Sequence, residues 1–311
     1  MKLLVTGYNG FVAGSALAQA PVDWEVHGIG RSPAAAIAGH RGGVFYYQEN
    51  LLEKECLDRL LRQIKPDAIL HAAAIASIDF CETNREMAER MNVGVTEQIA
   101  AFAAEAGAKL VFCSTDSVFD GKKGYYQEDD PPHPLNFYAE TKCKAEDIVL
   151  AANNINIVAR LALVTGWPVM GKGNSFLADL VEKLGKREQV ACPENEVRTP
   201  IDVITLGAAL NELTTSSYEG ILHLSGNTRI NRYQMARQIA VRAGYSEELI
   251  LAVDSNALTG RAPRPNDASL DNTRARNLLQ TRLLSLEEGL EKSFMEKEKR
   301  ATVSEPRFSD I

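Results

Sequence analysis

The chain has 311 residues, of which 45% are hydrophobic and 24% charged, and a formal net charge of −7. That length supports one large domain or two unequal lobes. The acidic balance argues against nucleic acid as a partner, and no apolar run reaches the length of a membrane span. The five cysteines are scattered without a Cys-x-x-Cys pair and the five histidines show no zinc spacing, so free thiols in a reducing cytoplasm are expected, and no metal site. The N-terminus lacks the apolar segment and cleavage site of a secretory signal.

In chain order, residues 2–6 read as a strand running into the turn Gly7-Tyr8-Asn9-Gly10. A helix is predicted over 13–19, strands over 25–29 and 44–48, and a helix over 52–63 that Pro66 closes off before a strand at 68–71. A long helix over 85–106, a strand over 109–113, a helix over 138–152 and a strand over 155–160 follow. Such alternation predicts the α/β class: a doubly wound parallel sheet of Rossmann type, covered on both faces, over residues 1–166.

After Gly166-Trp167-Pro168 the rhythm changes. Residues 171–174 read as a loop and 175–185 as a helix, while 201–210 and 221–225 are apolar enough to return to the main core. Asn231 through Gln234 has capping-box spacing ahead of a helix at 235–243. Residues 261–267 form a proline-bearing loop, and Asp271 is placed to cap a final helical stretch. Residues 167–311 are therefore expected to be mainly a smaller, substrate-binding C-terminal lobe, with segments near 201–225 rejoining the first domain. The polar tail from Ala301 is expected to be poorly ordered.

The glycine turn predicts a dinucleotide site at Gly7, Asn9, Gly10, Phe11 and Val12. Gly7 permits a tight turn, Gly10 allows close backbone approach to a pyrophosphate, and the phosphates sit on the helix N-terminus. Ala13 need only be small. The second strand leads into Arg31-Ser32, with no acid to hold a ribose 2′-hydroxyl. A carboxylate there repels a 2′-phosphate, whereas a guanidinium grips it, so NADP(H) is predicted over NAD(H). Asn50 and Leu51 are expected beside the adenine, and His71, Ala72 and Ala73 beside the ribose and nicotinamide. With no partner acid in view, His71 reads as a hydrogen-bonded structural residue rather than a base.

Thr115 lies at the carboxyl end of a strand, where open parallel sheets bind ligands. Tyr138 and Lys142 stand one helical turn apart on one face. A phenol titrates near ~10, and a neighbouring ammonium is expected to lower that value. The predicted chemistry is hydride transfer from NADPH to a ketone carbon. Tyr138 delivers the proton, Lys142 tunes the phenol and reaches the nicotinamide ribose, and Thr115 orients the carbonyl.

These residues, with Lys65-Pro66-Asp67, His71-Ala72-Ala73-Ala74, Asp79 with Glu82, Asn92-Val93, the run Ser114 through Gly121, Tyr125 through Glu128, Pro134 through Tyr138, Arg264-Pro265 and Leu270-Asp271, resemble the extended short-chain dehydrogenase/reductases. Within them the chain is most similar to the dTDP-4-dehydrorhamnose reductase group. The resemblance implies reduction of a nucleotide-linked 4-keto sugar, with Thr115, Tyr138 and Lys142 as the catalytic three. Ser117 follows Asp116 where sugar 4,6-dehydratases carry a second acid, which separates the chain from them. The alternatives are a nucleotide-sugar epimerase, which typically holds NAD tightly, a reductase of another small carbonyl substrate, and a non-catalytic NADP-binding regulatory subunit. Two departures stand out. Leu161-Ala162-Leu163 is wholly aliphatic where the group places a polar and an aromatic residue, and Thr205 stands where an acid commonly caps a helix. Asp116 and Leu163 are expected near the sugar, and Asn174, Phe176, Arg198 and Arg264 near a nucleotide diphosphate. A homodimer is a further expectation.

Overall fold

A seven-stranded, wholly parallel sheet forms the centre of the computed structural model, which describes residues 1–33, 43–170 and 173–304. The first half supplies β1 (Lys2–Thr6), β2 (Glu25–Gly30), β3 (Val44–Gln48), β4 (Ala68–His71), β5 (Lys109–Thr115) and β6 (Ile157–Leu161). The second half supplies β7 (Val164–Thr165), β8 (Val190–Pro193), β9 (Val197–Arg198), β10 (Ile201–Asp202), β11 (Gly220–Leu224), β12 (Ile230–Asn231) and β13 (Ile250–Val253). The large sheet runs β11-β6-β5-β4-β1-β2-β3, and the remaining strands form three pairs, β7 with β10, β9 with β12 and β8 with β13. The chain starts at β1, moves outward to β3, then crosses back to β4 and builds the other half. Strand order therefore reverses between β1 and β4, the place where doubly wound sheets open a ligand crevice.

Alternation along β1 sends Leu3 and Val5 to one face and Leu4 to the other, all fully buried. On the first face they meet α1 (Phe11–Ala18) through Ala13, Ala16 and Leu17. The second face is covered by α2 (Lys54–Ile64) with Leu57, Leu60, Leu61 and Ile64. Each such buried leucine contributes about 1.5–3 kcal/mol. Between β4 and β5 come α3 (Ile78–Thr83), α4 (Arg85–Glu89) and α5 (Val95–Ala106), and α6 (Phe137–Ala152) precedes β6. Further on lie α7 (Phe176–Gly185), α8 (Val203–Thr215), α9 (Arg232–Arg242), α10 (Thr273–Leu278) and α11 (Leu286–Ser304). Leu206, Ala209, Leu210 and Leu213 of α8 join the first core, whereas α7, α9 and α11 enclose their own with Leu180, Met235, Ile239 and Leu290.

Several local readings need correction. Helix α3 breaks the loop expected after β4, because Ser77 caps it by accepting from the Phe80 amide. The helix expected over 85–106 contains a π-helical turn at Arg90–Gly94. There Asn92 bonds both the amide and the carbonyl of Ile75, at 2.8 and 3.1 Å, and this tertiary tie accompanies the widened turn. Asp202, not Thr205, caps α8 and accepts from the Thr205 amide at 2.8 Å. Asn231 caps α9 at 2.7 Å. The loop expected at 171–174 falls partly outside the described residues, and the tail from 301 lies there largely. No helix among the described residues is long and apolar enough to cross a membrane.

Candidate active site

The glycine turn lies at the switch point. Gly7 has φ +76°, and a Cβ built on it would lie 3.0 Å from the Ala73 Cα. A Cβ on Gly10 would lie 2.9 Å from the Gly7 carbonyl oxygen. Both positions therefore leave the backbone bare, and the first-turn amides of α1 at Phe11 and Val12 have no acceptor within the helix. Such bare, first-turn amides can take phosphate oxygens, so the residues here fit a dinucleotide. Phe11 turns its ring into a cluster with Val203 and Ile204. Asn9 is spent on the protein: its Nδ2 donates to the carbonyls of Ser32 and Pro33, at 3.2 and 2.9 Å. The Tyr8 hydroxyl also donates to the Ser32 carbonyl. Tyr8 is fully buried and lies against Gly28 and Gly30, where any Cβ would collide with it.

A crevice of about 560 Å³ opens from this cradle. It is lined by Gly7, Asn9, Gly10, Arg31, Ser32, Asn50, Leu51, Ala72 and Ala73, and farther in by Ile75, Phe80 and Met91. Its size lies within the range of small-molecule sites. Asn50 lines it, but its side chain makes a local turn, accepting from the Leu52 amide at 3.2 Å and donating to Glu53 at 3.4 Å. His71 is not free for proton transfer. Its Nδ1 pairs with Thr6 Oγ1 at 2.7 Å and its Nε2 with Thr96 Oγ1 at 3.0 Å. Burial, with the Lys142 charge adding, pushes its pKa down to about 3, which keeps the ring neutral.

Thr115 ends β5, with its Oγ1 accepting from the Ser117 amide at 3.2 Å and donating to Asp116 at 3.3 Å. Tyr138 opens the first turn of α6, next to Ile75 and Cys81. Burial pushes its phenol well above the ordinary range, and hydrogen bonding with Thr115 pulls it back only in part. This reverses the direction expected from the Tyr-x-x-x-Lys spacing, because desolvation of the phenolate dominates and the charges of Asp116, Cys81 and Cys113 push the same way. The phenol therefore keeps its proton at neutral pH, and burial makes it a weaker acid than a solvated tyrosine. Lys142 is buried, with its Nζ 3.9 Å from the centre of the Phe112 ring. Burial pulls its pKa down to about 8, opposed by Cys113 and Glu146.

The sign of that shift makes a prediction. The fold favours the neutral amine, so the cost of the buried ammonium is present below about pH 8 and is relieved as pH rises toward the ordinary lysine value. The ammonium fraction falls through the same window. If it supports turnover, kcat/KM declines above about pH 8, and Lys142→Arg moves that limb out of range. An alkaline limb identical in both proteins would remove Lys142 from the profile.

The start of α6 is held by residues distant in sequence. The Phe137 amide donates to Glu82 at 3.0 Å, and Asn136 caps the helix by accepting from the Ala139 amide at 3.0 Å. Asn92 donates to Thr141 Oγ1 at 3.0 Å, between the two candidate groups. Glu82 and Asn92 are among the residues that carry the family resemblance, but no supporting role was expected of either.

The expected diphosphate contacts fare unevenly. Asn174 is exposed and Phe176 is half-buried beneath Arg232. The Arg198 Nη groups donate to the carbonyls of Val197, Pro265 and Asn266, and its Nε faces Asp116 at 3.4 Å. Arg264 is forked on Asp79, at 2.8 and 2.6 Å. That pairing, with the Ala262 amide, pulls Asp79 down to about 2. Both arginines therefore join the lobes in this conformation. Asp116 is buried and lifted by desolvation, while Arg198 and the Leu163 amide oppose the shift. The side chain of Leu163 packs toward the small-lobe core.

The chain matches the family model described as RmlD substrate binding domain over residues 1–299. Methionine adenosyltransferase 2 subunit beta of Xenopus laevis is 30% identical over 276 residues, which is 87% of this chain and 80% of that protein. A dTDP-4-dehydrorhamnose reductase of Sinorhizobium fredii is 29% identical over 235 residues, 73% of each. The solved dTDP-4-dehydrorhamnose reductase of Bacillus anthracis, in complex with NADP, shares the fold with a TM-score of 0.82 at 24% identity, covering 95% of this chain and 99% of that one. The family match takes in the glycine turn together with Thr115, Tyr138 and Lys142. By that match the chain belongs to the RmlD substrate binding domain family.

Proposed function

We propose that the protein is an NADPH-dependent reductase of a keto group on a nucleotide-linked sugar. The observation that carries this reading is the meeting of Tyr138 and Thr115 at the carboxyl edge of β5, with Ile75 common to the Tyr138 cluster and the crevice that leads from the glycine cradle. NADP in the related Bacillus anthracis structure and the Sinorhizobium fredii reductase support it. When bound, the cofactor supplies the hydride. Gly7, Gly10 and the start of α1 hold its pyrophosphate, and Arg31 takes the 2′-phosphate. Thr115 donates a hydrogen bond to the carbonyl oxygen, the Tyr138 phenol gives that oxygen its proton, and Lys142 stabilises the phenolate left behind. A reducing, cytoplasmic setting suits the five unpaired thiols.

Activity with both cofactors tests the Arg31 assignment. Wild type is expected to prefer NADPH, and Arg31→Asp to lose that preference, because a carboxylate repels the 2′-phosphate. A wild-type preference for NADH would end the assignment. Loss of nicotinamide absorbance across a panel of nucleotide-linked keto sugars tests the reaction itself.

A second reading draws on the methionine adenosyltransferase subunit beta relative: a subunit that binds NADP and docks on a partner protein. Tight NADPH binding without turnover on any keto sugar would favour it.

A further inference from the structure

Four arginines reach the junction between the lobes, and three are committed to protein groups. Arg198 holds main-chain carbonyls and Asp116, Arg261 bonds Glu196 at 2.9 Å, and Arg264 is forked on Asp79. Arg232 differs. Among the described residues it takes part in no ion pair, and its Nε is buried without a hydrogen-bond partner. Its guanidinium carbon lies 4.1 Å from the centre of the Phe176 ring, which fixes the plane of the group. Its main-chain amide donates to the Glu196 carbonyl at 3.0 Å, anchoring the first turn of α9.

A second group is unsatisfied in the same place. Asp116 Oδ2 is buried and accepts no hydrogen bond, although Arg198 faces it at 3.4 Å. Asp116 directly follows Thr115. Ile230 pairs with Arg198 across β12 and β9, so Arg232, whose amide bonds Glu196, begins α9 beside the Arg198–Asp116 pair. Leaving a buried donor and a buried acceptor open is costly. A ligand carrying an anionic oxygen and a hydroxyl satisfies both.

We infer that Arg232, rather than Arg198 or Arg264, takes an anionic oxygen of the substrate diphosphate, and that Asp116 accepts a hydroxyl of the attached sugar. The assignment rests on reading the substrate as a nucleotide-linked sugar. Phe176 lies against the guanidinium, and the Arg198 charge opposes the upward shift that burial gives Asp116.

Calorimetric titration of the full chain with UDP and dTDP, with and without NADPH, tests this. Arg232→Gln is expected to weaken diphosphate binding roughly 10- to 100-fold, the loss of one charge-assisted contact, and to leave NADPH affinity unchanged. Arg232→Lys recovers part of the binding, since an ammonium keeps the charge but not the planar fork. Asp116→Asn is expected to weaken a UDP-sugar relative to UDP alone. Diphosphate affinity in Arg232→Gln equal to wild type overturns the assignment, and so does a wild type that binds neither diphosphate. If Arg232→Gln fails to fold, Arg232→Lys decides, and unchanged affinity there overturns it. Binding of glucuronate that needs Arg232, without diphosphate binding, assigns the arginine to a carboxylate instead and also overturns it. The reductase reading fails separately, through NADPH binding without reduction of any keto sugar.

Discussion

Tyr138→Phe is expected to lower turnover by roughly 10²- to 10⁴-fold, the usual contribution of a positioned proton donor, while NADPH still binds. The substitution removes one oxygen. The ring keeps its place beside Ile75 and Cys81, so packing changes little. It is a cleaner probe than removing the Thr115 hydroxyl, which also accepts from the Ser117 amide and closes the turn after β5. Steady-state kinetics beside a fluorescence titration with NADPH separate the two effects. Wild-type turnover in Tyr138→Phe would take the phenol out of the proposed mechanism.

The largest expected loss of stability comes from the far end of the same helix. Glu146 lies one turn beyond Lys142 and forms an almost fully buried ion pair with Arg160 of β6. Arg160 Nε lies 3.1 Å from both carboxylate oxygens and Nη2 lies 2.8 Å from one of them. The Ser114 hydroxyl also donates to Glu146, and the Arg160 guanidinium lies 5.1 Å from the centre of the Phe119 ring. Arg160→Met leaves Glu146 buried without its counter-charge and is expected to cost about 3–5 kcal/mol. Adding Glu146→Leu removes the stranded carboxylate and is expected to recover much of that loss, because apolar replacements of buried pairs are often tolerated. Urea denaturation of the two single variants and the double variant measures the cycle. A single-variant loss under about 1 kcal/mol, the scale of ordinary surface changes, would contradict the importance given to the pair. The pair also ties α6, which carries Tyr138 and Lys142, to β6 and to the strand that presents Thr115.

The readings that succeeded rest on short-range physics. The bounds of β1 and β4 match the apolar runs residue for residue, because strands buried on both faces leave nearly continuous hydrophobic stretches, and β3, a half-exposed edge strand, matches through its β-favouring residues. The glycine turn was legible for a similar reason: a backbone with φ +76° at Gly7 admits almost no other residue. The π-helical turn escaped notice because it goes with a partner outside its own segment, Asn92 on Ile75, whereas α3 is a short helix with a local Ser77 cap.

The chain order thus determined the doubly wound class, the tight turn at Gly7 and Gly10, and the placing of Tyr138 and Lys142 on one helix. Tertiary structure alone decided which charges remain available. Arg264 and Asp79 are 185 residues apart in sequence yet meet in a forked pair, and nothing local to either predicts it. The same holds for the Tyr138 phenol, whose upward shift comes from burial rather than from the lysine one turn along. Helical periodicity and turn geometry are set within a few residues, whereas desolvation and ion pairing depend on segments that only folding brings together.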